Sequence, residues 1–181
     1  MPKYVAFLRA INVGGHVVKM DHLRLMFEEL KFKNVETFIA SGNVIFDTTA
    51  KNTRSLEKKI EDALKARLGY EVATFIRSVP EIASIAQLKP FGDAGLNGEG
   101  QVLYIGFMAD RPPGASCQKL QSFNTEIEEL CVVEREVYWL HRRRLGESAL
   151  TGGLLEKTLG MKATLRNSNT IQRIAAKYAL A

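Results

Sequence analysis

Arg9, Asn12, Gly14 and Gly15 fall close together near the start of the chain. A guanidinium, a carboxamide and two unhindered backbone amides are groups that hold an oxyanion. Near the other end, Arg142, Arg143, Arg144 and Ser148 form a basic, hydroxyl-bearing segment. Arg166, Asn167, Asn169 and Thr170 form a second polar run, and Ser41 and Asn43 flank a glycine in between. Together these residue types fit recognition of a phosphate-bearing small molecule, a nucleotide included. His16 is the nearest acid/base group, with Asp21 and Asp47 the nearest carboxylates. His16, His22 and His141 show no metal-ligand spacing. No dinucleotide, P-loop or nucleophile-elbow motif occurs, so no cofactor is implied and catalysis is left open.

Positioning these groups requires strand ends and helix starts. Residues 3–10 are almost continuously apolar, the pattern of a central strand. Leu23, Met26, Phe27 and Leu30 then mark one face of a helix, with Asp21 at the N-cap position. Two strands, 35–40 and 44–47, are joined at Ser41-Gly42-Asn43. A second helical stripe runs from Leu56 to Leu68 and stops at Gly69, before a strand over 72–76. Residues 79–100 read as a connector, a short helix followed by a Gly-rich stretch. The order then recurs: strand 102–108, helix from Pro112-Pro113, strands 127–133 and 137–141, helix 151–159 and strand 163–166. A last helix buries Ile171, Ile174, Ala175 and Tyr178.

The fold class expected is therefore α+β: two tandem ferredoxin-like β-α-β-β-α-β units plus a C-terminal helix. The units span 1–78 and 101–181, an internal repeat without obvious repetition of sequence. In such a unit strands one and two run parallel, and strands three and four run the opposite way. The loop after strand one and the turn between strands two and three thus leave one edge, which joins Arg9–Met20 to Ser41-Gly42-Asn43. In the second unit the ends of strands three and four share an edge, which joins Arg142–Ser148 to Arg166–Thr170. A cleft between the halves that received both edges would be lined by Arg, Asn, Ser and backbone amides.

Composition sets the class. The chain has 181 residues, 46% of them hydrophobic and 25% charged, enough for one large core or two small ones. No run approaches the roughly 18 apolar residues of a membrane helix. Cys117 and Cys131 stand apart, the pattern of buried thiols in a reducing, cytoplasmic setting. Net charge is +5, but residues 91–140 carry eight acidic side chains against three basic, and 141–181 carry eight basic against two acidic. The basic terminal stretch is suited to phosphate.

Phe7-Leu8-Arg9-Ala10-Ile11-Asn12-Val13-Gly14-Gly15, the helix over 20–30, Phe38-Ile39-Ala40-Ser41-Gly42-Asn43-Val44-Ile45-Phe46 and Thr164-Leu165-Arg166-Asn167-Ser168-Asn169-Thr170 resemble the bacterial DUF1697 family along the whole chain. The resemblance implies an α+β fold with ferredoxin-like halves and no activity. Ser168 stands where that family usually has Trp, and Ser148-Ala149 where it usually has Ser-Lys.

The partner expected is an anionic small molecule, with no membrane. Nucleic acid is the alternative, with Tyr4, Phe7, Phe46, Tyr104, Phe107, Tyr138 and Trp139 as base-stacking rings on the strands, though no RNP1 pattern is present.

Overall fold

A computed structural model describes residues 1–92, 100–142 and 148–179. The elements are β1 (Lys3–Leu8), α1 (Met20–Glu29), β2 (Lys33–Thr37), β3 (Asn43–Asp47), α2 (Thr53–Leu68), β4 (Thr74–Ser78) and α3 (Val79–Gln87). They are followed by β5 (Val102–Met108), α4 (Gly114–Gln121), β6 (Glu128–Val133), β7 (Glu136–His141), α5 (Gly152–Leu159), β8 (Ala163–Asn167) and α6 (Ser168–Tyr178). Two four-stranded antiparallel sheets result, ordered β2-β3-β1-β4 and β6-β7-β5-β8. This is the ferredoxin-like order in each, as the alternation of elements predicts. The compact units are residues 1–83 with 174–181, and residues 84–173.

In the first unit the apolar stripe of α1 (Leu23, Met26, Phe27) packs with Ile60 and Leu64 of α2 over Ala6, Leu8, Val44 and Phe46. Asn52 caps α2, its side-chain oxygen accepting from Ser55 N at 3.0 Å. Asp21, by contrast, is not a cap. Lys19 occupies that position without a side-chain bond, and Asp21 sits in the first turn. In the second unit Leu120 of α4 and Leu155 and Leu159 of α5 pack on Leu130, Val137 and Trp139.

The strand registers of the two sheets coincide. Tyr4 pairs with Phe46 and Ser78, Tyr104 with Trp139 and Asn167. Val5 pairs with Ile45 and Arg77, Ile105 with Tyr138 and Arg166. Ala6 and Gly106 likewise face Val44 and Ile76, and Val137 and Leu165. So Tyr4-Val5-Ala6-Phe7-Leu8 and Tyr104-Ile105-Gly106-Phe107-Met108 are counterparts, and the repetition of sequence is real. It escapes a fixed-period reading because the offset shrinks along the chain: α2 has 16 residues and α5 has 8. Gly106 is required where the first half has Ala6. A Cβ there would lie 2.6 Å from Val137 Cγ1 and 3.0 Å from Leu165 Cδ2.

The repeat extends into the buried polar groups. Arg77 is 1% exposed and donates to Ile76 O at 2.9 Å; Arg166 is 8% exposed and donates to Leu165 O at 2.9 Å. Thr74 N donates to Glu61 at 2.8 Å, and its counterpart Ala163 N donates to Glu156 at 2.9 Å. β4 and β8 are edge strands, and these bonds satisfy amides that point away from the sheet. Cys117 and Cys131 are free, and both are half-buried rather than enclosed.

Candidate functional site

Two loop clusters contain most of the predicted site residues. In the first half the loop after β1 and the turn before β3 do leave one edge. Leu8 N donates to Gly42 O at 2.8 Å. Gly42 has φ +75°, and a Cβ on it would lie 2.9 Å from Ile11 Cγ2, so the two segments press together there. Gly14 and Gly15 are left-handed (φ 69° and 86°) and exposed. Ala10 (φ 55°) and Ile39 (φ 51°) share that conformation, which is costly for a β-branched residue. Arg9 is half-buried at the loop's root, its N–H on Ala73 O at 2.9 Å. Asn12 shapes the loop itself, its side-chain oxygen accepting from Val18 N at 2.7 Å. His16 stacks on Tyr70 with ring centroids 3.8 Å apart, and the Tyr70 hydroxyl donates to Ile11 O at 2.9 Å. Burial raises the Tyr70 hydroxyl above its ordinary pKa. Asn43 is fully buried; its amide nitrogen donates to Phe38 O at 2.9 Å and Ser41 Oγ at 2.8 Å, bracing the turn.

In the second half β7 and β8 end on the same edge as the start of β5, as strand direction requires. A cavity of about 350 Å³ opens there. Its polar lining is Gln101, Asn167, Ser168, Asn169 and Gln172, and Leu140 lies against them. Asn167 and Asn169, both named from the sequence, are among the residues that line it. The Asn167 side-chain oxygen accepts from Asn169 N at 2.9 Å, which caps the start of α6. Ser168 lies within the Arg166–Thr170 run noted in the sequence, whereas Gln101 and Gln172 had no signal of their own: each is a common surface residue until the edge brings it to the cavity.

The other predicted residues serve the second half differently. Arg166 folds onto its own strand, donating to Thr164 Oγ1 at 2.8 Å as well as to Leu165 O. Burial draws its guanidinium down to about 10. Arg142 pairs with Glu129. Ser148 donates to the buried Glu128 at 2.7 Å, beside the Trp139 ring nitrogen on the same carboxylate at 3.0 Å. His141, wholly buried, lies 3.8 Å from that oxygen. Thr170 is half-buried in the first turn of α6. Arg143 and Arg144 lie outside the described residues. Of the rings proposed for base stacking, Tyr4, Phe7, Phe46, Phe107, Tyr138 and Trp139 are all buried, so they form no open stacking platform. Among the described residues no group of three or more His, Cys, Asp or Glu side chains could hold a metal ion, and no helix is long and apolar enough to cross a membrane.

The sequence profile described as a protein of unknown function, DUF1697, matches residues 1–138. The chain belongs to the DUF1697 family. The matched span of this DUF1697 protein takes in the Arg9–Gly15 loop, the turn at Gly42 and Gln101, and ends before the strand and helix that carry Asn167 and Asn169. The structure is similar to that of the conserved bacterial protein SP0830 from Streptococcus pneumoniae, with a TM-score of 0.75 and 20% identity over 99% of both chains. That likeness establishes the fold. Comparison with curated proteins finds no match.

Proposed function

We propose that this DUF1697 protein binds a phosphate-bearing small molecule, and that the cavity where β5 starts and β7 and β8 end receives it. The carrying observation is the cavity itself, about 350 Å³, whose lining includes the polar residues Gln101, Asn167, Ser168, Asn169 and Gln172. Such a volume is at the small end of ligand pockets, which run from about 300 to 1,000 Å³. The start of α6 adds backbone N–H groups and the positive end of a helix dipole.

Isothermal titration with inorganic phosphate and a panel of phosphate monoesters tests the reading. Saturable binding is expected, weakened several-fold by Asn169→Ala. Heats no larger than dilution across the whole panel would end it. The first-half loops carry the same donor types, and Arg9→Ala in the same titration reads whether they take part.

A further inference from the structure

The two halves treat one seat in opposite ways. Along the outer edge of β4 the outward amides meet three carboxylates: Thr74 N donates to Glu61 at 2.8 Å, Ile76 N to Glu57 at 2.9 Å and Ser78 N to Glu81 at 2.7 Å. The Glu81 oxygen also takes the Ser78 hydroxyl at 2.8 Å. The first half therefore carries its own oxyanion at the end of its last strand.

The second half keeps the backbone and changes the side chain. α3 follows Ser78 directly as α6 follows Asn167, and Ile82 and Ile171 are both fully buried at the same step. Thr170 thus stands where Glu81 does, Ser168 where Val79 does and Gln172 where Ala83 does. Because Asn167 faces Tyr104 in the register in which Ser78 faces Tyr4, its N–H points out of the sheet in the same way. Here Thr170 puts a neutral side chain in place of that carboxylate, and the cavity whose lining includes Asn167, Ser168, Asn169 and Gln172 opens at this strand end.

The rest of the lining indicates what the oxyanion is attached to. None of the described lining residues is aromatic, so a nucleobase finds no ring to stack on. Gln101 and Gln172 offer carboxamides, which donate and accept and so match hydroxyl groups.

We propose that the ligand is a phosphorylated sugar whose phosphate oxygen takes, at Asn167 N–H, the seat that the Glu81 carboxylate takes in the first half. This rests on the phosphate-binding reading above. The phosphate is held by backbone and hydroxyl donors, and the sugar hydroxyls by Gln101 and Gln172.

The test is an amide-resolved NMR titration of the full chain with glucose 6-phosphate, fructose 6-phosphate, inorganic phosphate and phenyl phosphate. At least one hexose phosphate is expected to bind tenfold or more tighter than inorganic phosphate, shifting the amides of Asn167, Ser168 and Asn169. Phenyl phosphate, which carries a ring and no hydroxyl group, is expected to gain nothing over inorganic phosphate. Thr170→Glu supplies the carboxylate internally. It is expected to weaken every phosphate probe at least tenfold while keeping or raising the melting temperature. Gln172→Ala, the first-half residue at that place, is expected to bring the hexose phosphate down towards inorganic phosphate and leave inorganic phosphate unchanged. Wild-type affinity in a folded Thr170→Glu variant overturns the seat and leaves phosphate binding standing. Phenyl phosphate binding as tightly as the hexose phosphates overturns the sugar. Absence of any shift with all four probes overturns the proposal and the binding reading together.

Discussion

Glu36, an exposed carboxylate, joins two parts of the chain that are far apart in sequence. It accepts from Lys177 Nζ at 2.8 Å and from the Tyr178 hydroxyl at 2.7 Å, tying the last turn of α6 to β2. The Lys177 bond, then the Tyr178 bond, hold the Glu36 carboxyl below the usual carboxylate range against a smaller opposing effect of burial. For Asp47 burial is the largest influence and pushes upward, but the Asn34 amide and Lys3 outweigh it and the net direction is again down. A carboxyl whose folded pKa is depressed contributes stability that is present above its unfolded pKa and is lost as pH falls through the folded value. Stability should therefore decline below about pH 4.3 as Glu36 protonates. Glu36→Gln should remove part of that decline and cost about 1 kcal/mol or less at pH 7, since the pair is half exposed. Urea denaturation of both proteins at pH 7 and below pH 4 checks this. Parallel pH profiles would show that the contact contributes nothing.

At the scale of elements, the edge strands decide which backbone groups must be satisfied from elsewhere. α2 lies along β4 with Glu57 and Glu61 one helical turn apart, matching the two-residue spacing of outward amides on the strand. Glu57 is only 4% exposed, so its loss leaves the Ile76 N–H buried without its acceptor. Glu57→Ala is expected to cost about 1–3 kcal/mol and to speed hydrogen exchange at Ile76. Glu57→Gln retains an acceptor oxygen and should cost clearly less. Equal effects of the two substitutions would move the role of Glu57 from that bond to its charge.

Across the whole molecule, one supersecondary plan is used twice with different fittings. In the second half Gly152 stands where Glu57 does, one turn before Glu156, because α5 is half the length of α2. A Cβ at Gly152 meets nothing within 4 Å. Gly152→Glu should place a carboxylate by the outward amide of Leu165, slow its hydrogen exchange and stabilise the protein by about 1 kcal/mol. Denaturant unfolding with residue-resolved exchange reads both quantities. A destabilised variant with unchanged Leu165 exchange would break the equivalence of the two edges.

The order of the elements, their helical or extended character and the α+β class were all legible in residue types alone. Apolar period, turn residues and Gly stops act over a few residues and need no distant partner. Strand direction followed from that order, and with it the meeting of the Gly42 turn with the loop after β1, and the ends of β7 and β8 on one edge. What each polar side chain does there was decided only by register and packing. Asn43 is spent inside a turn and Arg166 on its own strand because burial makes every donor find the nearest acceptor. The repeat of Tyr4–Leu8 in Tyr104–Met108, the three carboxylates along β4 and the threonine in place of the last of them became visible only with the strands aligned. Each depends on residues far apart in sequence reaching the same few ångströms, and no local pattern encodes that distance.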